Sequence, residues 1–198
     1  MTESLYLSTP VLYREAGFLP RLSQCVADYT PAAVLLRLAD DSEKNLCDFI
    51  AQVCPVVQGA GSALILEDRP ALAQGTGCDG VHLSSAFTGR TIKDVRRLLG
   101  DSIQLGVAAG ISRDVAMCAG EDGADYILFG EDAPQSAAAI KETQQLISWW
   151  SMMMELPAVA LVPAPRSMAG FVAAQPDFIM PGTNFWEQQE EWNLSSLV

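Results

Sequence analysis

The chain has 198 residues, of which 49% are hydrophobic and 18% charged, and its formal net charge is −12. This length suits one compact domain, and the apolar content can fill a sizeable core, which excludes a disordered chain. The acidic balance leaves no basic face for a nucleic-acid backbone or an anionic membrane surface. A few local cations can still reverse the field inside a cleft, so a small phosphorylated molecule is not excluded as a partner.

The opening segment "MTESLYLSTP" has no charged stretch followed by an apolar run, so no signal peptide is expected, and no apolar run is long enough to predict a membrane span. Strands are then predicted, in chain order, at 5–7, 33–38, 63–66, 80–83, 104–107, 126–129, 158–161 and 178–180. "AAVLLRL", "SALILED" and "DYILFGED" are near-continuous apolar runs, as expected of parallel strands covered on both faces. Between strands lie amphipathic segments. "SEKNLCDFIAQVCPVVQG" places Leu46, Phe49, Ile50, Val53 and Val57 on one stripe. "TIKDVRRLLGD" starts at a capping candidate, Thr91, and stops at Gly100. "SRDVAMCAGEDGAD" and "SAAAIKETQQLISWW" follow the same pattern, Pro165, Met168, Phe171 and Val172 predict a short seventh helix, and "NFWEQQEEWNL" predicts an eighth. The alternation predicts a single-domain (β/α)₈ TIM barrel over residues 1–198, with a doubly wound open sheet as the alternative.

The five cysteines, Cys25, Cys47, Cys54, Cys78 and Cys118, include no CxxC pair. They predict reduced, mostly buried thiols in a cytoplasmic protein rather than disulfides or a zinc site. Cys47 and Cys54, seven apart, have core spacing.

Residues 63–130 carry several motifs in a fixed order: "ALILEDRPALA", "CDGVHLSSAFTG" with the only histidine, His82, then "GVAAGIS", then "GADYILFG". Together they resemble the thiamine phosphate synthase/TenI family. The resemblance independently implies the barrel, and it implies thiamine biosynthesis. Family synthases join an aminopyrimidine pyrophosphate to a thiazole phosphate and release pyrophosphate. Such a reaction needs Mg²⁺ on the departing group, donors for the developing charge, and a phosphate cradle at glycine-rich strand ends.

Against the family pattern, Arg37 retains one phosphate-binding cation while Ala39 stands in place of a lysine. Glu67-Asp68 replaces Asn-Asp, keeping Asp68 as a metal-ligand candidate, and Phe87 stands where a second metal aspartate is implied. Ser84 and Ser85 replace Gly and Gln, and Ala108 to Gly110 replace Ser-x-His. Glu131 and Asp132 follow Gly130 where the family places phosphate-gripping residues, and Val162-Pro163 replaces a double glycine. "PGTN" offers Gly182 and Thr183 as an anion nest. The departures fall at strand C-termini, where a barrel keeps its chemistry.

The candidate ligand- or phosphate-binding residues are therefore Arg37, Glu67, His82, Ser84, Gly130, Gly182 and Thr183, with Asp68 as a candidate Mg²⁺ ligand. Most of these have a purely structural alternative. Arg37 and Glu67 can form an ion pair across adjacent strands, and Asp68 can cap the helix starting near Pro70. Glu131 and Asp132 read as a solvated acidic helix start, or else as a cation or amine site. Gly130 permits a tight turn. His82 alternates with Val81 and Leu83, so it should point into the barrel, as a hydrogen-bonded core histidine or as an acid or base. The Trp149/Trp150 pair, Met152 to Met154, Trp186 and Trp192 suggest packing on the sheet, a barrel cap or a homodimer contact.

Three functions follow as expectations. The first is a family member with a degenerate site that binds a small phosphorylated, thiazole or pyrimidine ligand with weak or absent condensation. The second is an active synthase with a rearranged site. The third is a non-catalytic paralogue acting through protein contacts.

Overall fold

The computed structural model describes residues 4–13, 17–133, 135–192 and 194; Pro134 and Asn193, within segments read above, lie outside them. Eight parallel strands close into a barrel in sequence order: β1 (Ser4–Ser8), β2 (Ala33–Leu36), β3 (Ala63–Glu67), β4 (Gly80–Leu83), β5 (Gln104–Gly110), β6 (Tyr126–Phe129), β7 (Ala158–Val162) and β8 (Phe178–Pro181). The open-sheet alternative is thereby excluded, because β1 pairs with both β2 and β8. The outer ring comprises α1 (Phe18–Tyr29), α2 (Glu43–Gln58), α3 (Pro70–Thr76), α4 (Ile92–Leu99), α5 (Arg113–Glu121), α6 (Ala137–Met153) and α7 (Met168–Val172).

Helix starts follow capping chemistry. Ser42, Thr91, Ser112 and Ser136 each accept, through the side-chain oxygen, an amide N–H of the first helical turn. The predicted α2 stripe is buried as a set, while Cys47 and Cys54 sit half-buried at its edges rather than in the core. All five cysteines are free thiols, but Cys118 is exposed, so the burial expected of them holds fully only for Cys25 and Cys78.

Three aspartates stitch the N-terminal ends of the strands. Asp79, just before β4, accepts the Leu64 N–H of β3 at 2.7 Å. Asp125, before β6, accepts the Leu105 N–H of β5 at 2.7 Å, and Asp177, before β8, accepts the Ala158 N–H of β7 at 2.8 Å. The Asp of "GADYILFG" is thus a scaffold residue at the stability face of the barrel, far from the strand C-termini.

The strands alternate as pleating requires. Val81 and Leu83 pack into the sheet–helix layer, whereas Tyr6, Leu35, Ile65, Tyr126, Leu128, Val159 and Met180 form a separate interior cluster. Near its centre the Tyr6 and Tyr126 hydroxyls share a 2.8 Å hydrogen bond. Gly106 leaves the room that the Tyr126 ring occupies, since a Cβ there would collide with that ring.

The eighth helix expected from "NFWEQQEEWNL" is replaced by two 3₁₀ turns, Thr183–Trp186 and Gln189–Glu191. The neighbours Phe185 and Trp186 are both buried, a pattern that a tight turn meets better than one face of a continuous helix. Trp186 packs on Phe18 and donates its indole N–H to the Ser8 carbonyl at 2.6 Å, which closes one side of the barrel without crossing its mouth.

Candidate functional site

A cavity of about 450 Å³ opens at the C-terminal ends of the strands. Its lining includes Arg37, Glu67, His82, Ser84, Gly130 and Gly182, so the structure brings six of the eight predicted residues to one mouth. Thr183 flanks it beside Gly182, and Asp68 lies behind Ser84. Phe87 packs against the sheet–helix core, not across the opening.

Arg37 and Glu67 form the cross-strand pair: Arg37 Nε donates to Glu67 Oε2 at 3.1 Å, both side chains being half-buried. Among the described residues, the one guanidinium lining the cavity is therefore already beside a carboxylate.

Asp68 does not cap α3; its carboxylate accepts the Ser84 N–H at 2.8 Å and the Ser84 hydroxyl at 2.6 Å, while the capping position falls to Arg69, which makes no side-chain cap bond. The backbone explains the correction. Asp68 sits at φ 54°, a conformation that turns its side chain towards the end of β4. Ser84, read as a ligand residue, is the partner that holds it. As a Mg²⁺ site the set does not fit: Asp68 is a lone carboxylate engaged on both oxygens, the position five residues after His82 is a phenyl ring, and no metal-holding group of three or more His, Cys, Asp or Glu is found among the described residues.

His82 is 2% exposed and points inwards as predicted, with its ring stacked on Tyr126 at 5.7 Å and 13°. Against the reading as a hydrogen-bonded core histidine, its Nδ1 is buried and finds no hydrogen-bond partner among the described residues. Burial, and then the nearby Arg37 charge, push its pKa down from 6.5 to about 4, so the imidazole is neutral at pH 7.

Gly130, at φ 101°, turns the chain out of β6, and a Cβ there would lie 2.8 Å from the Leu161 carbonyl oxygen. Beyond it, Glu131 and Asp132 do not start a helix. α6 begins at Ala137 behind its Ser136 cap, and the acidic pair lies in the preceding loop, exposed along the mouth. Asp132 reaches across to Thr183, accepting its N–H at 3.1 Å and its hydroxyl at 2.7 Å. It lies so close over Gly182 that a Cβ there would come within 2.6 Å of Asp132 Oδ1. The nest read at Gly182 and Thr183 is thus filled by the chain's own carboxylate. Sequence reading missed this contact because it joins residues 51 apart. It also missed Leu128, Leu161 and Met180, which with Leu35, read from strand alternation as facing the mouth, line the cavity with apolar side chains and carry no motif.

The family model for thiamine monophosphate synthase matches residues 5–162 of this chain. The thiamine-phosphate synthase of Rhodospirillum centenum is 39% identical over 159 residues, covering 79% of this chain and 76% of that protein. The chain belongs to the thiamine monophosphate synthase family. Another relative, the thiamine-phosphate synthase of Hyphomonas neptunium, is 32% identical over 196 residues, 94% of this chain and 87% of that one. The thiamine phosphate pyrophosphorylase from Pyrococcus furiosus shares the fold, with a TM-score of 0.76 at 16% identity over 93% of this chain and 88% of that chain. In this member of the thiamine monophosphate synthase family, the matched segment ends at Val162, so the Gly182–Thr183 side of the mouth lies beyond it.

Proposed function

We propose that this chain is a thiamine-biosynthesis barrel whose mouth binds a small heteroaromatic ligand, phosphorylated or not, with weak or absent condensation activity. The observation that carries the reading is the state of the groups a pyrophosphate would need. Arg37 is paired with Glu67, Asp68 is held by Ser84, and Thr183 is held by Asp132, yet the cavity of about 450 Å³ remains open. Transition-state stabilisation of a leaving pyrophosphate requires donors and cations directed at the developing charge, and here they face carboxylates of the same chain. His82, uncharged at pH 7 on the cavity wall, and the apolar floor suit the ring of a thiazole or pyrimidine. A cytoplasmic setting belongs to this reading, and among the described residues no helix is long and apolar enough to cross a membrane.

A second reading, an active synthase with a rearranged site, is favoured by relatives named thiamine-phosphate synthase at 39% and 32% identity. Contact with other proteins, a second copy included, is favoured by exposed apolar side chains, with Met152 and Met153 at the end of α6 74% and 64% exposed. Thermal denaturation with thiamine phosphate, thiazole phosphate or pyrophosphate, each with and without Mg²⁺, separates these readings. Ligand-dependent but Mg²⁺-independent stabilisation is expected. Stabilisation by pyrophosphate only with Mg²⁺ would favour the active synthase, and none at all would favour a role through protein contacts.

A further inference from the structure

Two of the five thiols meet at the N-terminal end of β4, away from the strand C-termini that form the mouth. Cys54 lies in the last turns of α2, and Cys78 stands between α3 and β4. The Cys54 S–H donates to the Thr76 carbonyl at 3.6 Å. The Thr76 hydroxyl gives its own proton to the Leu72 carbonyl at 2.8 Å, which leaves its oxygen to accept the Cys78 S–H at 3.3 Å. The two thiols thus converge on one residue, and a side-chain hydrogen bond joins them to each other. α2 holds the arrangement from one turn further on. Gln58 Nε2 donates to the Gly77 carbonyl at 2.8 Å and to Asp79 Oδ2 at 3.0 Å, on either side of Cys78.

We propose that Cys54 and Cys78 are a site of reversible oxidation, at which a small-molecule disulfide converts the two thiols into a cross-link tying α2 to the root of β4. The inference is independent of what the mouth binds. Both cysteines are free thiols, Cys54 half-buried and Cys78 buried, so Cys54 meets the reagent first. Its sulfur, as thiolate, attacks one sulfur of the reagent, and the reagent's S–S bond breaks to release one thiol. Cys78 then attacks Cys54 Sγ, which breaks the mixed disulfide and releases the second thiol. Two protein S–H bonds become one S–S bond, the reagent's S–S bond becomes two S–H bonds, and two electrons pass from protein to reagent. Burial pushes both thiols up, Cys78 to about 12, so near neutral pH the pair stays protonated and the exchange is slow. The ring so closed contains the whole of β3 and α3, so the cross-link restricts the unfolded chain more than the folded one.

Incubation of the full, folded chain with oxidised glutathione, followed by alkylation and non-reducing peptide mapping, tests this. Cleavage before Asp48, Asp68 and Asp79 places Cys47, Cys54 and Cys78 in separate peptides. The expected product joins the Cys54 and Cys78 peptides, lighter by two hydrogens than their sum, and dithiothreitol separates them. The cross-linked chain should melt about 5–10 °C above the reduced chain. Cys54→Ala should abolish both the joined peptides and the gain in melting temperature, whereas Cys47→Ala, on the same helix, should leave both in place. Glutathione adducts on Cys54 with no link to Cys78 overturn the proposal, and so does a link that forms only in denaturant. A link that leaves the melting temperature unchanged or lowered shows that the native arrangement does not accommodate it, and overturns the proposal as well.

Discussion

His82 points into the barrel as alternation predicts, with its ring stacked on Tyr126 and its Nδ1 without a hydrogen-bond partner among the described residues. Its pKa of about 4 in the fold lies below the ordinary 6.5. Between these values the unfolded chain takes up a proton that the folded chain refuses, so stability is complete above pH 6.5 and is lost as pH falls towards 4. Across that window the loss should approach about 3 kcal/mol. Urea unfolding as a function of pH measures it, and His82→Gln should flatten the slope. If the parent and the variant show the same pH dependence, the neutral-imidazole assignment is wrong. Arg37 makes a different prediction. Removing it leaves Glu67 half-buried beside nothing cationic, so Arg37→Ala should cost about 1–2 kcal/mol, with part of the loss recovered in Arg37→Ala/Glu67→Gln. Additive losses in that cycle would show that the pair contributes nothing.

At the scale of elements, the strands were legible because each is a short apolar run buried on both faces. The edges shifted for local reasons. β5 continues past 107 to Gly110, with a register irregularity between Ala108 and Gly110. The segment read as the end of β2 is interrupted, with Leu38 reduced to an isolated bridge to Leu12. The two terminal 3₁₀ turns were not legible, because helical spacing in "NFWEQQEEWNL" gives no sign that two adjacent aromatics must both be buried. Motif order recovered the family, yet part of that signal is scaffold. Asp125 accepts the Leu105 N–H and also pairs with Arg96 of α4, so Asp125→Ala should destabilise by about 1–3 kcal/mol without altering ligand affinity. Gly106 presents a comparable constraint from the opposite direction. Gly106→Ala drives a methyl group into the Tyr126 ring and should cost about 1–3 kcal/mol by overpacking. A wild-type melting temperature for Gly106→Ala would show that the barrel interior is looser than described.

Over the whole molecule, most of the candidate site was legible as a set of residues, because strand C-termini converge on one mouth in any such barrel. What those residues touch was not legible. The Asp68–Ser84 and Arg37–Glu67 contacts join adjacent strand ends, of which only the second was anticipated, and the Asp132–Thr183 contact joins the ends of strands that are not neighbours. The thiols give a global check on the fold. Burial pushes Cys25 and Cys78 up to about 12, whereas Cys118 is exposed, so a maleimide should label Cys118 first and leave those two to react only on unfolding. On the proposed reading, the groups facing the cavity are engaged by the chain's own carboxylates and hydroxyls, which leaves little to stabilise a departing pyrophosphate. Thiamine phosphate formation from the aminopyrimidine pyrophosphate and the thiazole phosphate, with Mg²⁺ present, measures this directly. Turnover far below about 1 s⁻¹, the low end for enzymes, is the predicted result, and turnover at or above that rate would contradict it.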